Sequence, residues 1–350
     1  MAILHDFPVV DAPVTDPTDP LGAPRSLATP NQHAPIGLGR PLCVQIIHVY
    51  TGDAPGRLFG GDPDMLVVSG VKGPETFNEA QKAINQLTPK VASNSYVSPG
   101  AFSKGTPVVY YSPALEANEL NISFHLVAES FREKAFEQLG RLFDKAGNLP
   151  LFVPAQSKLI AGSAILQMAK RLGKAVFESK PFMEDNLEIR LGVGGFCNFE
   201  SGIKLICEES KGDELMERCE IRRVNDRNRG ENYFLFDKAS DEKYKGDIPF
   251  LLINVDGSER KQFEGFKPKI ASAALIRRFY GEDVGEVGLQ SLESALVLHN
   301  DLHYVNKIKG LQADLEKPDL DPALRTQYEE LLAAYRKNIQ HQEFITGLDS

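Results

Sequence analysis

Leu42-Cys43-Val44-Gln45-Ile46-Ile47-His48-Val49-Tyr50 is apolar on both faces apart from Gln45 and His48. Such a run reads as a strand in the middle of a sheet that is covered on both sides. It leads into Thr51-Gly52-Asp53-Ala54-Pro55-Gly56-Arg57-Leu58-Phe59-Gly60-Gly61-Asp62-Pro63-Asp64, a glycine-rich loop that collects three carboxylates before a second strand over 65–71. Strand signals continue around this core. Residues 106–111 read as a strand, and Leu120, Ile122, Phe124, Leu126 and Ala128 alternate with Asn121, Ser123, His125 and Val127, the pattern of a half-buried antiparallel strand.

The period then changes. Phe131, Ala135, Phe136, Leu139, Leu142 and Phe143 mark an amphipathic helix closed by Gly147, and residues 159–172 mark a second closed by Gly173. Alternation returns at Leu187, Ile189, Leu191 and Val193, with further strands over 203–207, 233–236 and 250–255. Asn225-Asp226-Arg227-Asn228-Arg229-Gly230 reads as a polar loop tip, and Asp256-Gly257 as a hairpin turn, because both of its residues tolerate positive φ. Helical structure begins at 268–280. Leu298, Leu302, Val305, Ile308, Leu311 and Leu315 then step by three and four, as do Leu324, Tyr328, Leu331, Tyr335 and Ile339. Asp321-Pro322 supplies an N-cap and a first-turn proline. The short connection makes these two helices an antiparallel hairpin. The fold class is α+β: an antiparallel β-sandwich-like body with two inserted helices and a C-terminal α-helical hairpin. Its divisions are an extended proline-rich tail at 1–40, a body at 41–285 with strand blocks 41–130 and 180–266 separated by helices 131–178, and the hairpin at 286–346. The tail carries seven spaced prolines and no apolar period, so its removal is expected to leave stability nearly unchanged.

A chain of 350 residues with 42% hydrophobic and 25% charged content builds sizeable cores without staples. The net charge of −9 argues against general attraction to nucleic acid or anionic lipid. Cys43, Cys197, Cys207 and Cys219 lack C-x-x-C spacing, which disfavours a disulfide or zinc framework. With no signal-peptide pattern at the start and no run of about 18 apolar residues, a reducing cytoplasm is the expected location.

The strand, acidic loop and strand of 42–71, ending in Asp62-Pro63-Asp64-Met65-Leu66-Val67, resemble the opening of a C2 domain, and the resemblance covers 42–130. It implies a β-sandwich and, where the ligands suffice, a Ca²⁺ site at Asp53, Asp62, Asp64 and Glu129. Ca²⁺ takes six to eight oxygens, and Glu129-Ser130-Phe131 offers one carboxylate where the family places two. The competing reading is a solvated turn without metal.

A second candidate set is His299, His303 and His341. The first two lie four apart on one helix, and folding the hairpin brings the third within about a turn of His299, a group suited to a transition metal. Ordinary amphipathic rings at a seam edge satisfy the same spacing. Gly192-Val193-Gly194-Gly195 reads as a strand end or bulge rather than a dinucleotide loop. The helix at 159–172, with Lys158, Lys170, Arg171 and Lys174 around its apolar residues, suits a membrane surface or, more simply, a sheet. No catalytic motif is present, although triads assemble in space. The expected function is therefore a non-catalytic cytoplasmic binding or assembly module. It would bind no nucleic acid and no cofactor, and would contact a protein partner through the loops of the sandwich and a protein partner or a second copy through the C-terminal helices. A C2-type Ca²⁺-responsive or peripheral membrane module and a hydrolase are the alternatives.

Overall fold

The computed structural model describes residues 9–11, 33–53, 62–73, 76, 80–98, 104–116, 119–129, 149–152, 179–191, 197–198, 200–226, 230–267, 286–318, 320–346 and 348. The chain is mixed α and β, with antiparallel sheets and C-terminal helices. The helices expected within 131–178, the Gly192–Gly195 run and residues 268–280 lie outside the described residues.

Three sheets form layers. The first has the order Met183–Arg190, Glu119–Glu129, Asp64–Lys72, Gln81–Thr88, Lys104–Gly105, with Leu151–Phe152 also on Gln81–Thr88. In the middle sheet Gly202–Ile206, Phe250–Asp256 and Leu42–Tyr50 run side by side, and Leu42–Tyr50 also pairs with Val108–Ser112 and Tyr96–Val97. The third sheet is Val9–Asp11, Cys219–Asp226, Gly230–Asp237 and Glu242–Lys243.

Alternation decides which layer each face meets. Val44, Ile46, Val49, Leu251, Ile253 and Val255 point from the middle sheet into the main core, against Met65, Val67, Leu120, Ile122, Phe124 and Leu187 of the first sheet. On the opposite face Tyr50, Ile203, Leu205, Phe250 and Leu252 pack under Ile221 and Leu235 of the third sheet. Fully burying one such side chain stabilises by about 1.5–3 kcal/mol, so two covered faces hold Leu42–Tyr50 firmly in the centre, as its sequence predicts. The strand blocks are interleaved: Leu42–Tyr50 pairs with Phe250–Asp256, and Glu119–Glu129 pairs with Met183–Arg190.

Several local expectations change. Helix α1, Glu209–Arg218, has no counterpart in the sequence reading; it is mostly exposed and buries only Gly212 and Leu215. Asp256-Gly257 is not a hairpin turn. Among the described residues no strand pairs back after it; the Asp256 carboxylate instead accepts from Ala34 N at 2.9 Å and from Arg260 at 3.4 Å. The proline-rich tail joins the ladders after all: Val9–Asp11 pairs in parallel with Ile221–Arg223. Gly257 N also donates to Ala34 O, and Ile36 packs on the main core.

The hairpin comprises α2, Glu286–Leu315, and α3, Pro322–Lys337, followed by the short α4, Gln342–Thr346. Asp321 caps α3 by accepting from Ala323 N and Leu324 N at 2.8 and 3.3 Å, with Pro322 in the first turn. The buried face of α2 is rotated from the expected stripe. Asp301, Tyr304 and Ile308 are buried, whereas Leu298 and Leu302 are 45% and 46% exposed. A polar junction explains the rotation. Tyr304 OH bonds to Glu116 of the body, Lys267 Nζ lies 2.9 Å from Asn338 Oδ1 and 3.4 Å from Tyr304 OH, and Asn338 Nδ2 donates to Ala114 O at 3.1 Å. Gly39 completes the contact with a φ of 72°, where an added Cβ would stand 2.8 Å from the Glu330 carbonyl oxygen of α3.

Candidate functional site

A β-bulge in the central strand builds the most unusual polar arrangement of the described residues. Ile253 pairs with Ile46 and the next residue back, Leu252, pairs with His48, so Ile47 is an extra residue. A bulge of this kind re-aims side chains. Ile47 and His48 both contact the outer-face cluster under the third sheet.

His48 is only 2% exposed. Its ring stacks on Phe234 with centroids 4.6 Å apart and meets the edge of Tyr96 at 6.1 Å. Nε2 lies 2.7 Å from Asn232 Oδ1 and Nδ1 lies 2.6 Å from Ser98 Oγ. The tautomer follows from a third bond. Tyr233 N donates to the same Asn232 oxygen at 3.1 Å, so that atom is an acceptor and Nε2 carries the proton. Nδ1 is left to accept from the Ser98 hydroxyl. Burial pushes the imidazole pKa down to about 4, and the Lys243 ammonium, 3.5 Å above the Phe234 ring, pushes the same way. The ring is therefore neutral at pH 7.

Serine, histidine and asparagine in hydrogen-bonded series have the connectivity of a nucleophile, its base and an orienting group. Two features weaken the chemistry. A base with a pKa near 4 accepts a proton poorly at neutral pH. The orienting group is also a neutral amide, which does little for the imidazolium that proton transfer would create. As a structural tie the same bonds join a strand of the middle sheet to a strand of the third sheet and to the residue that follows Tyr96–Val97.

Beside the bulge lies a cleft of about 450 Å³ on the outer face of the middle sheet. Its floor is the cross-strand pair Gln45 and Asn254, continued by Ile203, which pairs with Asn254 from the other side. The rows above and below are covered: Leu205, Leu252 and His48 by the third sheet, and Asp256, Cys43 and Tyr111 by the segment after Asp256, whose Arg260 N donates to Tyr111 OH at 3.0 Å. Ile47, Pro107 and Tyr233 form apolar walls and Arg260 stands at the rim. Asn254 Oδ1 and Arg260 Nε are buried without a hydrogen-bond partner. A group left so costs about 1–3 kcal/mol. Gln45 and His48 are the two polar interruptions of the opening strand in sequence; Asn232, Asn254, Ser98 and Arg260 carry no such signal, since each joins the arrangement only through contacts between segments distant in sequence.

The carboxylates of the acidic loop have different fates. Asp53 and Asp62 are exposed. Asp64 is 3% exposed and its Oδ1 accepts from Lys90 N at 3.1 Å, closing the turn after Gln81–Thr88. Glu129 is the backbone partner of Asp64 across the ladder, but its side chain lies outside the described residues. Among the histidines, His299 and His303 sit on α2 with side chains outside the described residues. His341 binds Asp301: Nδ1 to Oδ2 is 2.6 Å, and Asp301 also accepts from Gln340 N and His341 N at 3.0 and 2.9 Å. Among the described residues, no three His, Cys, Asp or Glu side chains come together as a metal site.

A second cleft of about 380 Å³ lies where the hairpin meets the body, lined by Lys261, Lys267, Arg336 and Lys337 together with Glu259 and Glu264. Arg336 and Lys337 occupy the last turn of α3, where cations favour the helix dipole. Comparison of the chain with models of known families, with curated proteins and with solved structures finds no match.

Proposed function

We propose that the protein is a non-catalytic binding and assembly module whose C-terminal helices make the contact with a second copy or another protein. One observation carries this reading: the inner face of α2 is fixed to the body through Tyr304, while Leu298 and Leu302, one turn apart on the same helix, remain exposed. A matched pair of exposed leucines on an anchored helix suits association. The four free cysteines fit the cytoplasm as its place of work, and no helix among the described residues is long and apolar enough to cross a membrane. The test is light scattering on the wild type and on Leu298→Glu with Leu302→Glu. An assembly larger than the 38.6 kDa chain should fall to folded monomer in the double variant. If the mass is the same in both proteins, the hairpin is not the self-association surface.

The Ser98, His48 and Asn232 series favours a second reading, a hydrolase with Ser98 as nucleophile. Its signature would be covalent labelling of Ser98 by a fluorophosphonate, lost in His48→Gln. The C2-type reading draws on Asp53 and Asp62, the exposed carboxylates of that candidate set among the described residues, since Asp64 accepts from Lys90 N.

A further inference from the structure

The cleft beside the bulge has a chemistry that the hairpin reading does not use. We propose that it is a binding site for a short extended peptide segment, recognised through its main-chain amides by Gln45, Asn254 and Arg260 and through one apolar side chain by Ile47, Ile203 and Tyr233.

The argument begins with the row itself. Between rows that are covered, a row left open among the described residues carries two carboxamides facing each other across a strand pair. A carboxamide offers both donors and an acceptor, and a main-chain peptide unit offers one of each, so the two are complementary. The buried Asn254 Oδ1 needs an N–H donor and the buried Arg260 Nε needs a carbonyl acceptor. The Arg260 guanidinium is partly held, with Nη2 at 3.4 Å from Asp256, which aims the fork and neutralises its charge. A formally neutral donor set favours an amide over an anion. The cleft volume of about 450 Å³ falls in the small-ligand range of about 300–1,000 Å³, room for a few residues rather than a folded domain. Ile47, the bulge residue, and Tyr233 supply the apolar wall that a side chain would enter.

The experiment uses the full chain and three blocked tripeptides, N-acetyl-Ala-Xaa-Ala-amide with leucine, tyrosine or aspartate in the centre, together with depsipeptides in which one amide N–H is replaced by an ester oxygen. Titration followed by the side-chain NH₂ resonances of Gln45 and Asn254 should show saturable shifts with the leucine or tyrosine peptide and weaker binding of the aspartate peptide. At least one ester replacement should weaken binding about tenfold, as should Asn254→Leu and, separately, Gln45→Leu. Unchanged melting of these variants establishes that they fold. The proposal is overturned if no tripeptide shifts those resonances, if every ester analogue binds as well as its amide, or if N-acetylglucosamine saturates the cleft and the peptides do not. None of these results bears on the light-scattering test of the hairpin, so the two readings fail separately.

Discussion

Replacing His48 with glutamine should alter how stability responds to acid. In the folded protein burial holds the His48 pKa at about 4, whereas an unfolded histidine titrates near 6.5. The folded pKa is the lower one, so between these values the unfolded chain binds more protons and stability rises with pH. The contribution is complete above the unfolded pKa and is lost as pH falls toward the folded one. Between pH 7.5 and pH 5.0 the difference in proton binding amounts to about 2 kcal/mol. Because His48 is almost fully buried, solvent screening removes little of it. Other groups titrate in the same window and must be subtracted. His125 is also lowered by burial and adds in the same direction. Asp185, raised to about 6 by burial, acts oppositely and loses its contribution as pH rises. Comparing wild type with His48→Gln cancels both. Guanidinium unfolding at the two pH values should show the wild type losing about 2 kcal/mol more than the variant on acidification. Parallel losses in the two proteins would show that His48 is not a buried neutral ring, and the bonding deduced for Asn232 and Ser98 would fall with it.

Lys267→Met should destabilise the chain by about 2–4 kcal/mol, because Lys267 Nζ also lies 3.9 Å from Glu116 Oε1, so that its loss takes the cation from Asn338 and leaves Lys307 as the ammonium beside Glu116; Glu116→Gln in the same chain should recover part of the loss, and purely additive effects in denaturant unfolding would show that the two side chains do not communicate. Removing residues 1–36 should lower the melting temperature by about 3–6 °C more than removing residues 1–32, because only the longer cut takes away the Ala34 amide that Asp256 accepts and the Ile36 side chain on the core. Equal melting of the two truncations, read by calorimetry, would contradict that anchoring role.

The central strand was the most legible part of the chain, since Leu42–Tyr50 must be covered on both faces whatever its neighbours are. The capped start of α3 was equally plain, because Asp321 and Pro322 act within one turn. Legibility failed where distant groups decide. A strict apolar period aims α2 by Leu298 and Leu302, yet bonds from Tyr304 to Glu116 and from Asp301 to His341 turn another face inward. The tail has no apolar period, but three residues sufficed to join an open strand edge. Of the site, Gln45 and His48 stood out as polar residues in an apolar strand. Their partners, Asn254 and Asn232, look like ordinary strand residues until register places them opposite. Of the three histidines grouped by helical spacing, His341 meets Asp301, two residues along α2 from His299, while the side chains of His299 and His303 lie outside the described residues.

Ile47 is surplus to the ladder: Ile46 already pairs with Ile253 and His48 with Leu252, which are themselves adjacent. Without it the strand would alternate regularly, Ile46 inward, His48 outward, Val49 inward, Tyr50 outward, and every other residue would keep its face. One of the three apolar wall residues of the cleft is thus encoded by a single codon whose in-frame loss leaves the surrounding sheet its full set of partners. Gene variants that differ by that one triplet would share a fold and differ in whether Ile47 closes the cleft beside Pro107 and Tyr233.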